Sequence, residues 1–171
     1  DVDAYYKSVY GDFDTMLKAA VDEAWELREE CAKFDVDLIA KMEKISPEYA
    51  KLGSLAYRQT VAAHKLCEID GTVKFFSKEN FSNGCMATLD VTYPSIPLYL
   101  IYNPELVRGM MRPILDYAKS EAWPYPFAPH DCGQYPLCNG QVYGNNELKY
   151  QMPVEECGNA ILTVAAATRA D

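Results

Sequence analysis

The stretch ISPEYAKLGSLAYRQTVAAHKLCEIDG, residues 45–71, carries the signals that set the fold class. Ser46 followed by Pro47 reads as a helix start. A serine oxygen accepts from the free backbone N–H groups of a first turn, and proline at the first helical position lacks only an N–H that would be unpaired anyway. Leu52, Leu55, Ala56, Gln59, Ala63 and Leu66 then recur at helical spacing and are expected to face inward. Asp70-Gly71 closes the run as a turn. The pattern predicts a helix over 46–69, with TVKFF (72–76) as one short strand.

The same period recurs on either side. Phe13, Met16, Leu17, Ala20, Ala24, Leu27 and Cys31 predict a helix over 12–33 with Asp12 as its cap. A shorter piece, 36–45, carries Leu38, Ile39 and Met42. Asn103-Pro104-Glu105 opens a helix over 103–120, with Leu106, Met110, Ile114, Leu115 and Ala118 inward. A last helix over 153–168 carries Ala160, Ile161, Val164 and Ala165.

Two long segments break the pattern. KENFSNGCMATLDVTYPSIPLYLIY (78–102) is apolar but interrupted by Asn-Gly and two prolines, and 121–152 contains FAPHDCGQYPLCNGQVYGN (127–145). Prolines forbid helix in WPYPFAP, and structureless loops of this length are functional or disordered. Disorder is poor in aromatics, so these read as ordered loops packed against each other at one end of the helices. The expected fold is mainly α: helical hairpins, long ordered loops and minor β, in a single domain over 1–171.

Composition narrows the function classes. A chain of 171 residues, 49% hydrophobic and 24% charged, can bury one ordinary core. A net charge of −9 argues against nucleic acid or an anionic membrane as partner. No apolar run reaches the length of a membrane span. None of the six cysteines forms a C-x-x-C pair and there are two histidines, which argues against structural zinc. No metal and no cofactor is expected. Whether Cys132 and Cys138 pair within their shared loop stays open.

The groups with chemistry cluster late in the chain. His130-Asp131 follow Pro129 in the second loop. Glu155 and Glu156 fall in the first turn of the last helix, about 100° apart, so one at most aims straight into a given cleft. Asn159 shares a face with either acid. A carboxylate from the loop and one from the helix make a general acid/base pair. Asp131, Glu155 and Glu156 are therefore the candidate catalytic residues. His130, Asn83, Glu79, Asp90, Tyr135, Gln141 and Asn159 are candidates for holding substrate. Plain structural readings stand beside these: acids in a first helical turn suit the helix dipole, and Asp131 can brace its loop by accepting backbone N–H groups. Ser82, Thr88 and Cys85 are possible nucleophiles with no base placed beside them by the sequence. His64 reads as a core or boundary histidine.

Four stretches carry a family resemblance: LAYRQTVAAHKL (55–66), FSKENFSNGCMATLDVTYPSIPLYLIYNPEL (76–106), WPYPFAPHDCGQYPLCNGQVYG (123–144) and MPVEECGN (152–159). In this order they resemble the central domain of the glutaminase A family, large secreted proteins of fungi and gut bacteria. The resemblance implies an excised segment of a longer polypeptide. A β-rich domain would precede it and a six-hairpin helical toroid would follow, the helices here contributing the toroid's first part. It implies hydrolysis of the side-chain amide of L-glutamine, a secreted or periplasmic location, and neighbouring domains of the same polypeptide as partners. Such a segment is expected to be inactive alone and prone to self-association through uncovered apolar helix surface. Because (α/α) toroids also host carbohydrate-active enzymes, a glycan is the alternative small-molecule substrate. A third reading is a non-catalytic helical scaffold.

Overall fold

The computed structural model describes residues 3–170, which fall into two compact units. The first, residues 4–62, is all helix: α1 (Tyr6–Tyr10), α2 (Phe13–Asp22), α3 (Ala24–Glu43) and α4 (Pro47–Ala62). Asp12 Oδ1 accepts from Thr15 N at 2.7 Å, and Ser46 Oγ accepts from Tyr49 N at 3.0 Å, so both expected caps form. The helix expected over 12–33 instead breaks at Glu23, and α3 then runs unbroken through residue 35, because no Gly or Pro lies between the two expected pieces. α3 and α4 pair as a hairpin around Leu38 and Ala50. Gly53 lets Met42 pack closely there, since an added Cβ would lie 2.5 Å from Met42 Sδ and push that thioether aside. The inward face of α4 is not the expected one. Leu52 and Leu55 are 67% and 51% exposed, while Ala50 is buried and Gly53, Ser54 and Tyr57 are half-buried.

The second unit begins at Ala63. Here the expectation of helix to residue 69 fails. Residues His64–Ile69 form β1, paired antiparallel with β2 (Thr72–Ser77) in the register Ile69↔Thr72 to His64↔Ser77. Asp70 and Gly71 have φ of 51° and 71°, the left-handed pair of a two-residue hairpin turn that matches strand twist. His64 is therefore a strand residue at the edge of the core, stacked on Phe75 with its Nδ1 3.2 Å from Tyr99 Oη.

Three helices pack with this hairpin: α5 (Leu89–Tyr102), α6 (Pro104–Lys119) and α7 (Pro153–Arg169). α5 lies where an irregular loop was expected. Its sequence, LDVTYPSIPLYLIY, holds Pro94 and Pro97 inside the helix, each removing a backbone donor. Burial of Leu89, Thr92, Ile96 and Tyr99, with packing on α6 and α7, outweighs that loss, each large apolar side chain contributing about 1.5–3 kcal/mol. The core has two clusters, one around Phe75, Ile96, Tyr99, Val107 and Met110, the other around Phe76, Met86, Leu89, Met111, Ile114 and Ala160. On α7 the inward residues are Glu156, Ala160, Thr163 and Ala167, whereas Ile161 and Val164 are exposed. No helix among the described residues is long and apolar enough to cross a membrane.

Candidate functional site

The two loop segments are laced together by backbone. Cys132 N donates to Met86 O, Met86 N to Gly133 O, Leu89 N to His130 O and Tyr135 N to Gly84 O, all between 2.8 and 3.0 Å. This ladder ties residues 130–135 to the approach of α5. It places His130 beside the first turn of that helix.

Asp131 organises the loop. Its side chain is fully buried. Oδ1 accepts from Gly133 N at 2.7 Å and Val142 N at 3.3 Å, and Oδ2 accepts from Tyr143 N at 3.4 Å. Oδ2 also lies 2.9 Å from His130 Nδ1. A carboxylate only accepts, so this contact puts the histidine's proton on Nδ1. Gln141 completes the frame. It accepts from His130 N at 2.6 Å through Oε1, and its Nε2 donates to Tyr143 O and Gln151 Oε1. Tyr143 stacks on the His130 ring at 4.2 Å and 15°. Asp131 and Gln141 thus commit their side chains inside the loop and fix the direction of His130.

What His130 meets is a pair of acids from two helices. Asp90 in the first turn of α5, His130 and Glu156 in the first turn of α7 each bring one ligand-type atom to within 4.8 Å of the others. Glu156 is 1% exposed. Both its carboxylate oxygens, and Oδ1 of Asp90, are buried without a hydrogen-bond partner. Burial pushes the Glu156 carboxyl up to about 7. The charge of His130 opposes this, those of Asp90 and Glu155 add to it, and Asn159 approaches without completing a bond. For His130, burial alone would lower the pKa, but the Asp131 hydrogen bond and the charges of Asp131, Glu156 and Asp90 leave it raised. The site sets a carboxyl near its midpoint at neutral pH beside a histidine whose pKa is raised, a pairing suited to proton transfer. Asp90 and Asn159 are both half-buried.

The remaining candidates lie elsewhere. Glu155 is exposed on the outer face of α7. Glu79 accepts from Thr88 Oγ1 at 2.9 Å and from Ser82 Oγ. Asn83 Oδ1 accepts from Cys85 N at 2.9 Å, closing a turn. Tyr135 is half exposed, with the ammonium groups of Lys65 and Lys78 over its ring at 5.8 and 4.9 Å. Cys85 sits beside His130 and Asp131, a neighbourhood the sequence did not reveal. Its thiol is pushed up to about 12 by burial, then by the charges of Asp131 and Glu79, so it keeps its proton and is a poor nucleophile. All six cysteines are free thiols.

The Asp90–His130–Glu156 grouping is drawn from three segments, so no local spacing in the sequence reveals it. Asp90 does carry one local clue: Thr88 and an acid two residues on are a helix start, masked by the prolines that follow.

Comparison with known proteins agrees with this architecture. The model of the glutaminase A six helical-hairpin domain matches residues 46–171. Glutaminase A of Aspergillus oryzae (strain ATCC 42149 / RIB 40) is 36% identical over 133 residues, 76% of this chain and 19% of the relative. A protein named "Probable glutaminase" from Arthroderma benhamiae (strain ATCC MYA-4681 / CBS 112371) is 33% identical over 116 residues, 67% of this chain and 13% of the relative. The chain spans less than a fifth of either relative's length. No solved structure matches it. With mainly helical architecture and a match over most of its length, the chain belongs to the glutaminase A family, in its six helical-hairpin domain.

Proposed function

We propose that this chain is part of a hydrolase that converts the side-chain amide of L-glutamine to glutamate and ammonia, with Glu156 as the group that carries the proton. The observation behind this reading is a buried carboxyl with two unpartnered oxygens, its pKa pushed up to about 7, beside a histidine and a second acid. Glu156 takes a proton from water as the water oxygen attacks the amide carbon. It then delivers that proton to the nitrogen, and the C–N bond breaks to release ammonia. Asp90 orients the water, and His130 donates toward the developing oxyanion. Asp131 acts through His130 as a positioning residue. Glu155, exposed on the outer face, adjusts Glu156 through its charge. The names of the relatives support glutamine over a glycan as substrate. The resemblance also supports a secreted or periplasmic location.

Ammonia release from L-glutamine by the full-length protein tests this. Glu156→Gln should lower kcat by about 10²–10⁴, the usual worth of a general acid/base. Activity within a few-fold of the parent, or inert glutamine alongside cleavage of a glycan panel, would refute it.

A further inference from the structure

The geometry points to a second ligand for the same three side chains: a divalent transition-metal cation held by Asp90, His130 and Glu156. This goes beyond the reaction proposed above and does not depend on it. Three features carry it. One nitrogen and two carboxylates, from α5, the 130–135 ladder and α7, already bring one ligand-type atom each to within 4.8 Å of one another. Glu156 is nine-tenths buried and more, and both its oxygens lack a partner, as does Asp90 Oδ1. Buried polar atoms without partners are rare, and a bound ion is one of the standard reasons for them.

The third feature is the setting of the histidine. Metal-binding histidines almost always donate their second ring N–H to a carboxylate or carbonyl, which fixes tautomer and orientation. Here Nδ1 is 2.9 Å from Asp131 Oδ2, Asp131 is itself held by three backbone N–H groups, and the ring is stacked on Tyr143. Nε2 is left as the nitrogen that would face a cation. Imidazole with carboxylates suits Zn²⁺, Co²⁺ and Mn²⁺ rather than Ca²⁺, which takes six to eight oxygens, and three protein ligands leave a position for water. A cation here would occupy the carboxylate that the proposed reaction uses, so under that reaction it is an inhibitor, not a cofactor.

Co²⁺ titration of the chelator-stripped chain, followed by equilibrium dialysis and visible absorption, tests this. The expected result is one Co²⁺ per chain with the weak d–d bands of nitrogen and oxygen ligands. Asp90→Asn and Glu156→Gln should each weaken binding by at least about 100-fold, and Asp131→Asn, one step removed, by about 10–100-fold. Circular dichroism identifies any variant that fails to fold, and half-buried Asp90→Asn is the fallback should Glu156→Gln do so. The inference is overturned by no stoichiometric binding, by affinity unchanged in Asp90→Asn, or by a thiolate-to-cobalt charge-transfer band, which would place the ion on the cysteines. No substrate is present in this experiment. Its failure would leave the hydrolytic reading standing, and loss of turnover in metal-free Glu156→Gln tests that reading separately.

Discussion

Replacing Glu156 by Gln tests the electrostatics of the site with no substrate at all. In the folded chain the carboxyl titrates near 7 instead of 4.5, chiefly because burial penalises its charge. Between those values the folded state holds a proton that the unfolded chain has released, so stability falls as pH rises through the window. At about 1.4 kcal/mol per pH unit, the interval is worth roughly 3 kcal/mol of stability lost by pH 8. His130 acts in the same direction. Its folded pKa is raised, so its contribution is present below 6.5 and disappears as pH climbs through the folded value. Glutamine has nearly the same shape and never ionises. Glu156→Gln should therefore match the parent near pH 4 and exceed it by about 3 kcal/mol at pH 8. Urea denaturation across this range measures the difference, with a chelator present so that no cation holds the carboxylate charged. Trp123 is buried in the same unit as Glu156 and serves as the fluorescent probe in a Trp25→Phe background. A difference independent of pH, or a Glu156→Gln chain less stable than the parent at pH 8, would refute the reasoning.

Two further substitutions probe the frame around the site. Gly133 has φ of +112°, and an added Cβ would lie 2.6 Å from Gly140 O and 2.8 Å from Asn139 N, both backbone atoms that must move. Gly133→Ala should cost more than about 2 kcal/mol, read as a fall in Tm, whereas Gly84→Ala, at φ +73° with open space around it, should cost about 1 kcal/mol. The hydroxyls of Ser77 and Thr92 form a buried pair at 2.7 Å. Thr92→Val should cost about 1–3 kcal/mol by orphaning Ser77, and adding Ser77→Ala should restore part of it; a double variant worse than the sum of the singles would contradict this.

The parts of the fold legible in the sequence were those with both a period and a punctuation mark. Ser46-Pro47, Asn103-Pro104 and Pro153 open α4, α6 and α7 as expected, because the fit of proline to the first helical position is local, as is the Ser46 cap. The β-hairpin was missed although Asp70-Gly71 is the strongest short hairpin signal. The apolar residues of HKLCEI fit the end of a helical stripe as well as a strand, and pairing with TVKFFS decided the matter. α5 was missed because Pro94 and Pro97 argue locally against helix, while burial on both α6 and α7 argues for it non-locally. The site divides in the same way. His130, Asp131 and Glu156 were legible as acid and imidazole groups in loop and helix-start settings. Their division of labour was not. It depends on which backbone N–H groups converge on Asp131 and on a ladder between segments some 50 residues apart.

That division explains what the site can bind. Asp90 and Glu156 both stand in first helical turns, where the partial positive charge of the helix end tempers the cost of holding two acids together. His130, oriented by Asp131, faces them. Two acids against one imidazole leave an excess of acceptors, and three of their buried oxygens have no donor. Whatever enters must therefore bring donors or positive charge. A proton does so, as the raised Glu156 carboxyl reflects. A divalent cation does so more strongly. A primary carboxamide does so through its two N–H groups, and the ammonia it releases does so again as ammonium. A neutral glycan offers hydroxyls that both donate and accept, and gains less from a site in which acceptors outnumber donors. The same surplus of buried acceptors would underlie both the proposed preference for an amide and the proposed affinity for a metal ion, and substitution of one carboxyl, Glu156, would remove both.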